Sequence, residues 1–242
     1  MSALCTPRMA RWLAAVALLL LGPAQASTLQ LEPVSIRLTQ TARSAVMYLR
    51  NDGTEALNVQ VRAFRWEQAA GEDRLSPTNQ LRVSPPIQMI PPGGEQFVRI
   101  LLAEDMWPQG EESFRLIVDE LPGAPAANGR VQLLIRYSVP VIVRSGELAP
   151  ADLSFRLDRS EGHTILEARN SGGQSAQLSE LRLTTRSGNT IRMNSGLFGY
   201  VLAGQTRRWQ LALADDQRRD QIVGIAANVD GKAGAYALEV TH

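Results

Sequence analysis

Val131-Gln-Leu-Leu-Ile-Arg-Tyr-Ser-Val-Pro-Val-Ile-Val-Arg144 decides the fold class of this chain. One parity carries Val131, Leu133, Ile135, Tyr137, Val139, Val141 and Val143, and the other mixes Gln132, Arg136, Ser138 and Arg144 with Leu134, Pro140 and Ile142. Alternation of this length predicts a long β-strand. Pro140 cannot donate to a ladder, so one side of the strand is expected to be an open edge near it. A long apolar edge is normally an aggregation hazard. Its retention points to pairing with another chain.

The N-terminus reads as a processing signal. Arg8 and Arg11 precede an apolar run from Trp12 to Leu21, and Ala24-Gln25-Ala26 has the small-x-small form of a cleavage site. The run is short for a membrane span, which needs about 20 residues, so no stable membrane insertion is expected. Cleavage after Ala26 would leave 216 of the 242 residues. With the two arginines of the signal gone, the formal charge moves from +1 to −1. That balance gives no basic footprint for nucleic acid. The only cysteine, Cys5, leaves with the signal. An exported chain without disulfides suits a bacterial envelope better than a small eukaryotic secreted fold.

Strand-length patterns dominate the rest, at Val34–Leu38, Ala45–Asn51, Asn58–Trp66, Gln96–Leu102, Ser113–Leu121 and Val131–Val143. Turn residues separate them, as in Asn51-Asp52-Gly53 and Pro91-Pro92-Gly93-Gly94. This spacing predicts an all-β sandwich. After Ser145-Gly-Glu-Leu-Ala-Pro150 the pattern restarts. Ala45-Val-Met-Tyr-Leu-Arg-Asn-Asp-Gly53 is echoed by Thr164-Ile-Leu-Glu-Ala-Arg-Asn-Ser-Gly172, each ending in Arg-Asn-x-Gly, which reads as a turn that needs φ > 0. Pro92-Gly-Gly-Glu-Gln-Phe-Val-Arg-Ile100 has a looser echo in Ala203-Gly-Gln-Thr-Arg-Arg-Trp-Gln-Leu211. The expected organisation is a signal over 1–26, one sandwich over 27–145, a linker over 146–150 and a second sandwich over 151–242. A single larger all-β domain is the alternative.

Enzyme chemistry has little to work with. The chain after the signal has His163 and His242 and no cysteine, which excludes a Cys–His nucleophile pair and Cys/His zinc sites. A Ser-His-acid triad would have to use His163, which sits in a hairpin turn of the sequence reading. The acid pairs Glu104-Asp105, Asp119-Glu120 and Asp215-Asp216 are neighbours, and neighbours on a strand point to opposite faces. No catalytic role, metal or cofactor is expected.

Several pieces together resemble the periplasmic chaperones of the chaperone–usher pilus pathway, in particular the archaic or spore-coat-U-associated branch. They are Glu112-Ser-Phe-Arg-Leu116 leading to Glu120-Leu-Pro122 and the long strand ending Tyr137-Ser-Val-Pro-Val-Ile-Val143. Leu49-Arg-Asn-Asp-Gly53 before Val59-Gln-Val-Arg62, and Ile90-Pro-Pro-Gly93 before a strand, also fit. The resemblance implies two immunoglobulin-like domains at an angle with a cleft between them. It implies a G1 strand lent to pilus subunits that lack their last strand, and delivery of those subunits to an outer-membrane usher. Periplasmic location follows, with no cofactor. Such strand addition takes affinity from backbone hydrogen bonds and fit from alternate side chains.

Mapped here, the lent strand runs from Val131 to about Val143. Val131, Leu133 and Ile135, with Val139 further along, are the expected inserted side chains. The alternative is that this parity faces the chain's own core, and a bulge near Pro140 could switch it. The better-known members hold the subunit's C-terminal carboxylate with an arginine on the first strand and a lysine on G1. Here the first position aligns with Ser35, and the only lysine is the distant Lys232. Arg115, Arg136 and Arg37 are the candidates for that anchor, with Arg115 favoured. An exported Ig-like binding module, an adhesin or pilus component, is the rival reading. An uncovered edge also invites self-association of the free chain.

Overall fold

The computed structural model describes residues 29–103, 107–123, 133–159 and 163–241. The proposed signal and Val131 lie outside them. The first half carries β1 (Leu29–Glu32), β2 (Ile36–Thr39), β3 (Ser44–Asn51), β4 (Leu57–Ala69), β5 (Glu72–Pro77), β6 (Leu81–Ser84), β7 (Ile87–Ile90), β8 (Glu95–Leu102), β9 (Glu111–Leu121) and β10 (Arg136–Arg144). One sheet runs β1-β3-β8-β6; the other runs β2-β10-β9-β4-β5, with β7 also paired to β4. Alternation selects the inner faces. Met47 and Leu49 of β3 and Val98, Ile100 and Leu102 of β8 meet Val59 and Val61 of β4 and Phe114, Leu116 and Val118 of β9 in one buried core. This is sheet-on-sheet packing of two inner faces.

The second half repeats the architecture with β11 (Leu153–Asp158), β12 (Ile165–Asn170), β13 (Ala176–Thr185), β14 (Thr190–Arg192), β15 (Leu197–Val201), β16 (Thr206–Gln210), β17 (Ile222–Val229), β18 (Lys232–Tyr236) and β19 (Leu238–Thr241). A short helix, α1 (Asp215–Arg219), precedes β17. The sheets are β16-β12-β11-β19 and β14-β13-β17-β18, with β15 on β13. Phe155, Leu157, Leu166, Leu178, Leu181, Leu183 and Ile225 fill its separate core. Among the described residues no helix is long and apolar enough to cross a membrane.

The two sequence echoes are structural equivalents. Asn51 at the end of β3 and Asn170 at the end of β12 are both fully buried. The Asn51 amide donates to the carbonyls of Glu55 at 2.7 Å, Ile90 at 3.1 Å and Pro91 at 3.2 Å, and its Oδ1 accepts from the Gly53 amide at 2.9 Å. Asn170 likewise donates to Gln174 at 2.7 Å and Val201 at 3.2 Å and accepts from the Gly172 amide at 3.0 Å. Each asparagine therefore ties its own turn to the strand entering the second echo. Those second echoes also align, with Gly93 at φ +64° and Gly204 at φ +68°. One detail differs from the sequence reading. Gly53 and Gly172 are not among the residues with positive φ. At Gly172 the requirement is size, because a Cβ would run into the Pro150 carbonyl oxygen.

The expected first strand, Val34–Leu38, is in fact two pieces in two sheets. β1 pairs with β3, and after Pro33-Val34-Ser35 the chain crosses to place β2 parallel to β10. The strands β5, β6 and β7 carry too little alternation to be read from sequence. Replacement of Asn51 by alanine should cost about 2–3 kcal/mol, since it removes the side-chain donor to the buried Ile90 carbonyl and the acceptor of the Gly53 amide together. Urea unfolding would measure it, and a loss below about 0.5 kcal/mol would show that the turn does not depend on this side chain.

Candidate functional site

Strand β10 has a complete neighbour on one side only. It pairs one-to-one with β9 from Arg136↔Asp119 to Arg144↔Glu111, with no shift at Pro140. On the other side β2 covers only Val141 to Arg144. The preceding piece of the first strand, β1, has gone to the opposite sheet. Among the described residues, Arg136 to Pro140 thus keep an open edge. The Glu120 amide donates to the Ile135 carbonyl at 3.1 Å. By the alternation of an antiparallel ladder, odd residues of β10 bond to β9 and the main chain of Arg136, Ser138 and Pro140 aims at the open side. Proline stands where its missing N–H interrupts nothing in the ladder to β9.

Side chains divide along the strand. Tyr137 packs on the core and its hydroxyl donates to the Leu29 carbonyl at 2.7 Å. Val141 and Val143 are fully buried in that core, and Val139 is only 3% exposed. Val139 is therefore corrected: with its parity turned inward and no bulge to reverse it, this side chain holds the chain's own sandwich together and is not free to enter a partner. Leu133 is 66% exposed and Leu134 41%. Ile135 is half-buried. The regular strand starts at Arg136 rather than Val131, although Ile135 extends the pairing through Glu120, whose side chain also accepts from the Ile135 amide at 3.4 Å.

The three candidate arginines share the outer face of this sheet but not one environment. Arg136 donates to Asp119 at 2.5 Å, and Arg62 reaches the other carboxylate oxygen at 2.7 Å. Burial works to raise the Asp119 pKa, but hydrogen bonds from Arg136 and Arg62 and their charges hold it below the usual aspartate range. Arg136 is thus already paired. Arg115, opposite Pro140 on β9, lies at the end of the open edge. Its guanidinium stacks 3.7 Å from the centroid of Trp66 and 5.2 Å from that of Tyr200, and donates weakly to the Ser138 carbonyl at 3.5 Å. Desolvation lowers its pKa, with Asp73 and Tyr200 opposing. Arg37, opposite Ile142 on β2, is exposed on the far side of β10 from Arg115. No described carboxylate forms an ion pair with either.

This end of the face is also where the two halves meet. β4 is thirteen residues long. Val59 and Val61 serve the first core, while Trp66 packs with Ile142 against Leu202 and Tyr200 of the second half. Gln68, 3% exposed, donates to the Tyr200 carbonyl at 2.8 Å and accepts from the Leu202 amide at 3.0 Å. At the tip of the β4–β5 hairpin the Gly71 carbonyl accepts from the Arg208 amide at 2.9 Å and from the Arg207 side chain. Gly71 has φ +82°, and a Cβ there would lie 2.7 Å from the Arg208 side chain. Glu111 accepts from Arg144 at 2.5 Å and from the Ser175 amide at 2.8 Å, adding a further tie.

Residues 28–149 match the family described as pili and flagellar-assembly chaperone, PapD N-terminal domain. The chain belongs to this chaperone family. Among curated proteins none matches it in sequence. Solved structures share its two-domain Ig-like fold. A chain of the CsuC–CsuE chaperone–tip adhesion subunit pre-assembly complex, from archaic chaperone-usher Csu pili of Acinetobacter baumannii, is 22% identical, with a TM-score of 0.69 over 89% of this chain and 100% of that one. The E. coli chaperone DraB is 16% identical, at 0.59 over 90% and 98%. A chain of the Salmonella enterica SafA pilin–SafB chaperone complex is 16% identical, at 0.59 over 88% and 95%. At these identities the likeness is one of fold.

In this chaperone the anchor candidates expected from sequence are Arg115, Arg136 and Arg37, whereas Trp66, Gln68 and Tyr200 beside Arg115 emerge only from the structure. Trp66 ends the predicted strand Asn58–Trp66, and Gln68 lies two residues beyond it on the same face of the longer observed strand; that continued alternation was the available signal. Tyr200 had none, because it reaches the cleft from more than a hundred residues away. His163, set aside as a catalyst, is exposed and its Nδ1 faces the Gln210 amide at 3.0 Å.

The Asp119 environment sets a pH dependence. Its folded pKa lies below the unfolded one, so its stabilising contribution is complete above about pH 4 and is lost as pH falls. Asp119→Asn should therefore lower the urea midpoint at pH 7, and the gap to wild type should narrow below about pH 4. A gap that stays constant down to pH 3 would mean that the ion triad contributes nothing through this carboxylate.

Proposed function

We propose that this protein is a periplasmic chaperone that holds pilus subunits by adding the open edge of β10 to their sheet, and that it hands them to an outer-membrane usher. The observation that carries the reading is the coincidence of three features along β10 and its two neighbours. Arg136 to Pro140 have an open main-chain edge, Leu133 and Leu134 stand exposed at its start, and two arginines without a carboxylate partner flank its end. Leu133 and Ile135 are the proposed inserted side chains. Burying each contributes at most about 1.5–3 kcal/mol, before the costs of association. Val131, outside the described residues, would continue the same series.

The geometry also sets a direction. An incoming strand that fills the place beside residues 133–140 ends where β2 begins at Ile36. A C-terminal carboxylate at that point meets Arg115 and Arg37, so the client strand runs parallel to β10. A partly desolvated guanidinium with no carboxylate in hydrogen-bond contact is costly, and a client carboxylate offers it paired, charge-assisted hydrogen bonds. Arg136, satisfied by Asp119, is the weakest of the three candidates. The Csu and Saf complexes named above pair a chaperone with a pilus or tip subunit, which supports the same class of client here.

A pull-down with tagged protein from a periplasmic extract of the native host tests the proposal. It should recover a small β-rich subunit, with Leu133→Glu abolishing capture and Arg115→Ala weakening it at least tenfold while the melting curve stays unchanged. Capture that ignores both substitutions would favour an exported Ig-like binding module instead.

A further inference from the structure

Tyr200 stands in the cleft on β15 of the second sandwich, yet its ring and its carbonyl meet residues of the first. Its ring meets Trp66 edge-on at 5.5 Å, and the Arg115 guanidinium lies 5.2 Å from its centroid. The strand end that carries it is clamped from across the cleft, since Gln68 bonds both the Tyr200 carbonyl and the Leu202 amide. The phenolic oxygen accepts from the Gln177 side-chain amide at 3.1 Å. Its own proton is therefore uncommitted among the described residues. Burial raises the phenol's pKa, with Arg115 and Arg37 pulling the other way, so at neutral pH it remains a neutral donor. Arg115, against the ring, and Arg37, whose charge also lowers the phenol's pKa, are the pair that flank the end of the open edge.

We infer that Tyr200 is a third ligand of the client's terminal carboxylate, donating its phenolic proton to the anion held by Arg115 and Arg37. The inference rests on the carboxylate-anchor reading above. Gln177 has a defined part in it: by donating to the phenolic oxygen it leaves the hydroxyl proton for the anion. The anchor is then built from both sandwiches. A bound terminus joins β9 and β2 of one to β15 of the other, and the clamp at Gln68 sets where the phenol stands. A hydrogen bond to a charged acceptor in such a half-buried place is worth enough to read in a binding curve.

The test uses the intact chain after residue 26, labelled with ¹⁵N and with ¹³C in its tyrosine rings. N-acetyl-L-phenylalanine serves as a minimal free carboxylate and its C-terminal amide as the uncharged control. In wild type the carboxylate should shift the side-chain N–H signals of Arg115 and Arg37, the Gln177 amide and the Tyr200 ring, whereas the amide should shift none of them. In Tyr200→Phe, which keeps the ring and its contact with Trp66, the arginine signals should still respond but with Kd raised about five- to tenfold. Arginine shifts with the same Kd in both proteins, and a silent Tyr200 ring in wild type, would overturn the role of Tyr200 while leaving the arginine anchor standing. No arginine response in wild type would overturn the anchor and the tyrosine with it.

Discussion

A β-strand is stable in a sheet because its main-chain donors and acceptors are paired on both sides, and among the described residues β10 has that on both sides only for its last four. Everything distinctive about this chaperone follows from how that imbalance is kept without collapse. The inward face is anchored by Tyr137, Val139, Val141 and Val143, so the strand stays in place although, among the described residues, no strand lies along its outer edge from Arg136 to Pro140. The first strand, which could have covered that edge, is divided so that β1 serves the opposite sheet and only β2 lies along β10. The exposed edge is thus a product of topology, not of local disorder.

The second constraint is where that edge ends. β4 overshoots its own sandwich and delivers Trp66 and Gln68 to the second one, turning a sheet face into the wall of a cleft. Small side-chain requirements fix the docking: Gly71 has no room for a Cβ beside Arg208, and Gln68 satisfies a carbonyl and an amide at once. Because β9 and β10 run through the first core and out into this contact, Arg115 is held at the junction between open edge and cleft. A half-buried cation with no carboxylate in ion-pair contact among the described residues would be an odd element of a purely structural interface. In the proposed reading, in which the chain captures another chain's terminus, it is a pre-formed half of an ion pair.

Much of this was legible from local pattern. Period-two alternation located the main strands, Pro140 marked the edge, and the Arg-Asn-x-Gly echoes located the repeat, whose two asparagines make nearly the same hydrogen bonds in both halves. The errors are equally specific. Alternation shows that one parity of β10 is apolar but not whether that parity meets the chain's own core or a partner, and Val139 went to the core. The glycines of the two echoes suggested positive φ, whereas the asparagine does the bonding and Gly172 is needed for its size.

Fold class, repeat and the long alternating strand with Pro140 are written in the sequence, because these depend on spacing along the chain and on which side chains avoid water. Tertiary structure alone decided that β1 leaves β2's sheet and that Arg136 is spent on Asp119 while Arg115 is not. It also decided that Tyr200 arrives beside Arg115 from the other domain. Pairing of charges and coverage of an edge are relations between residues far apart in sequence, and only the packed chain brings them within a few ångströms.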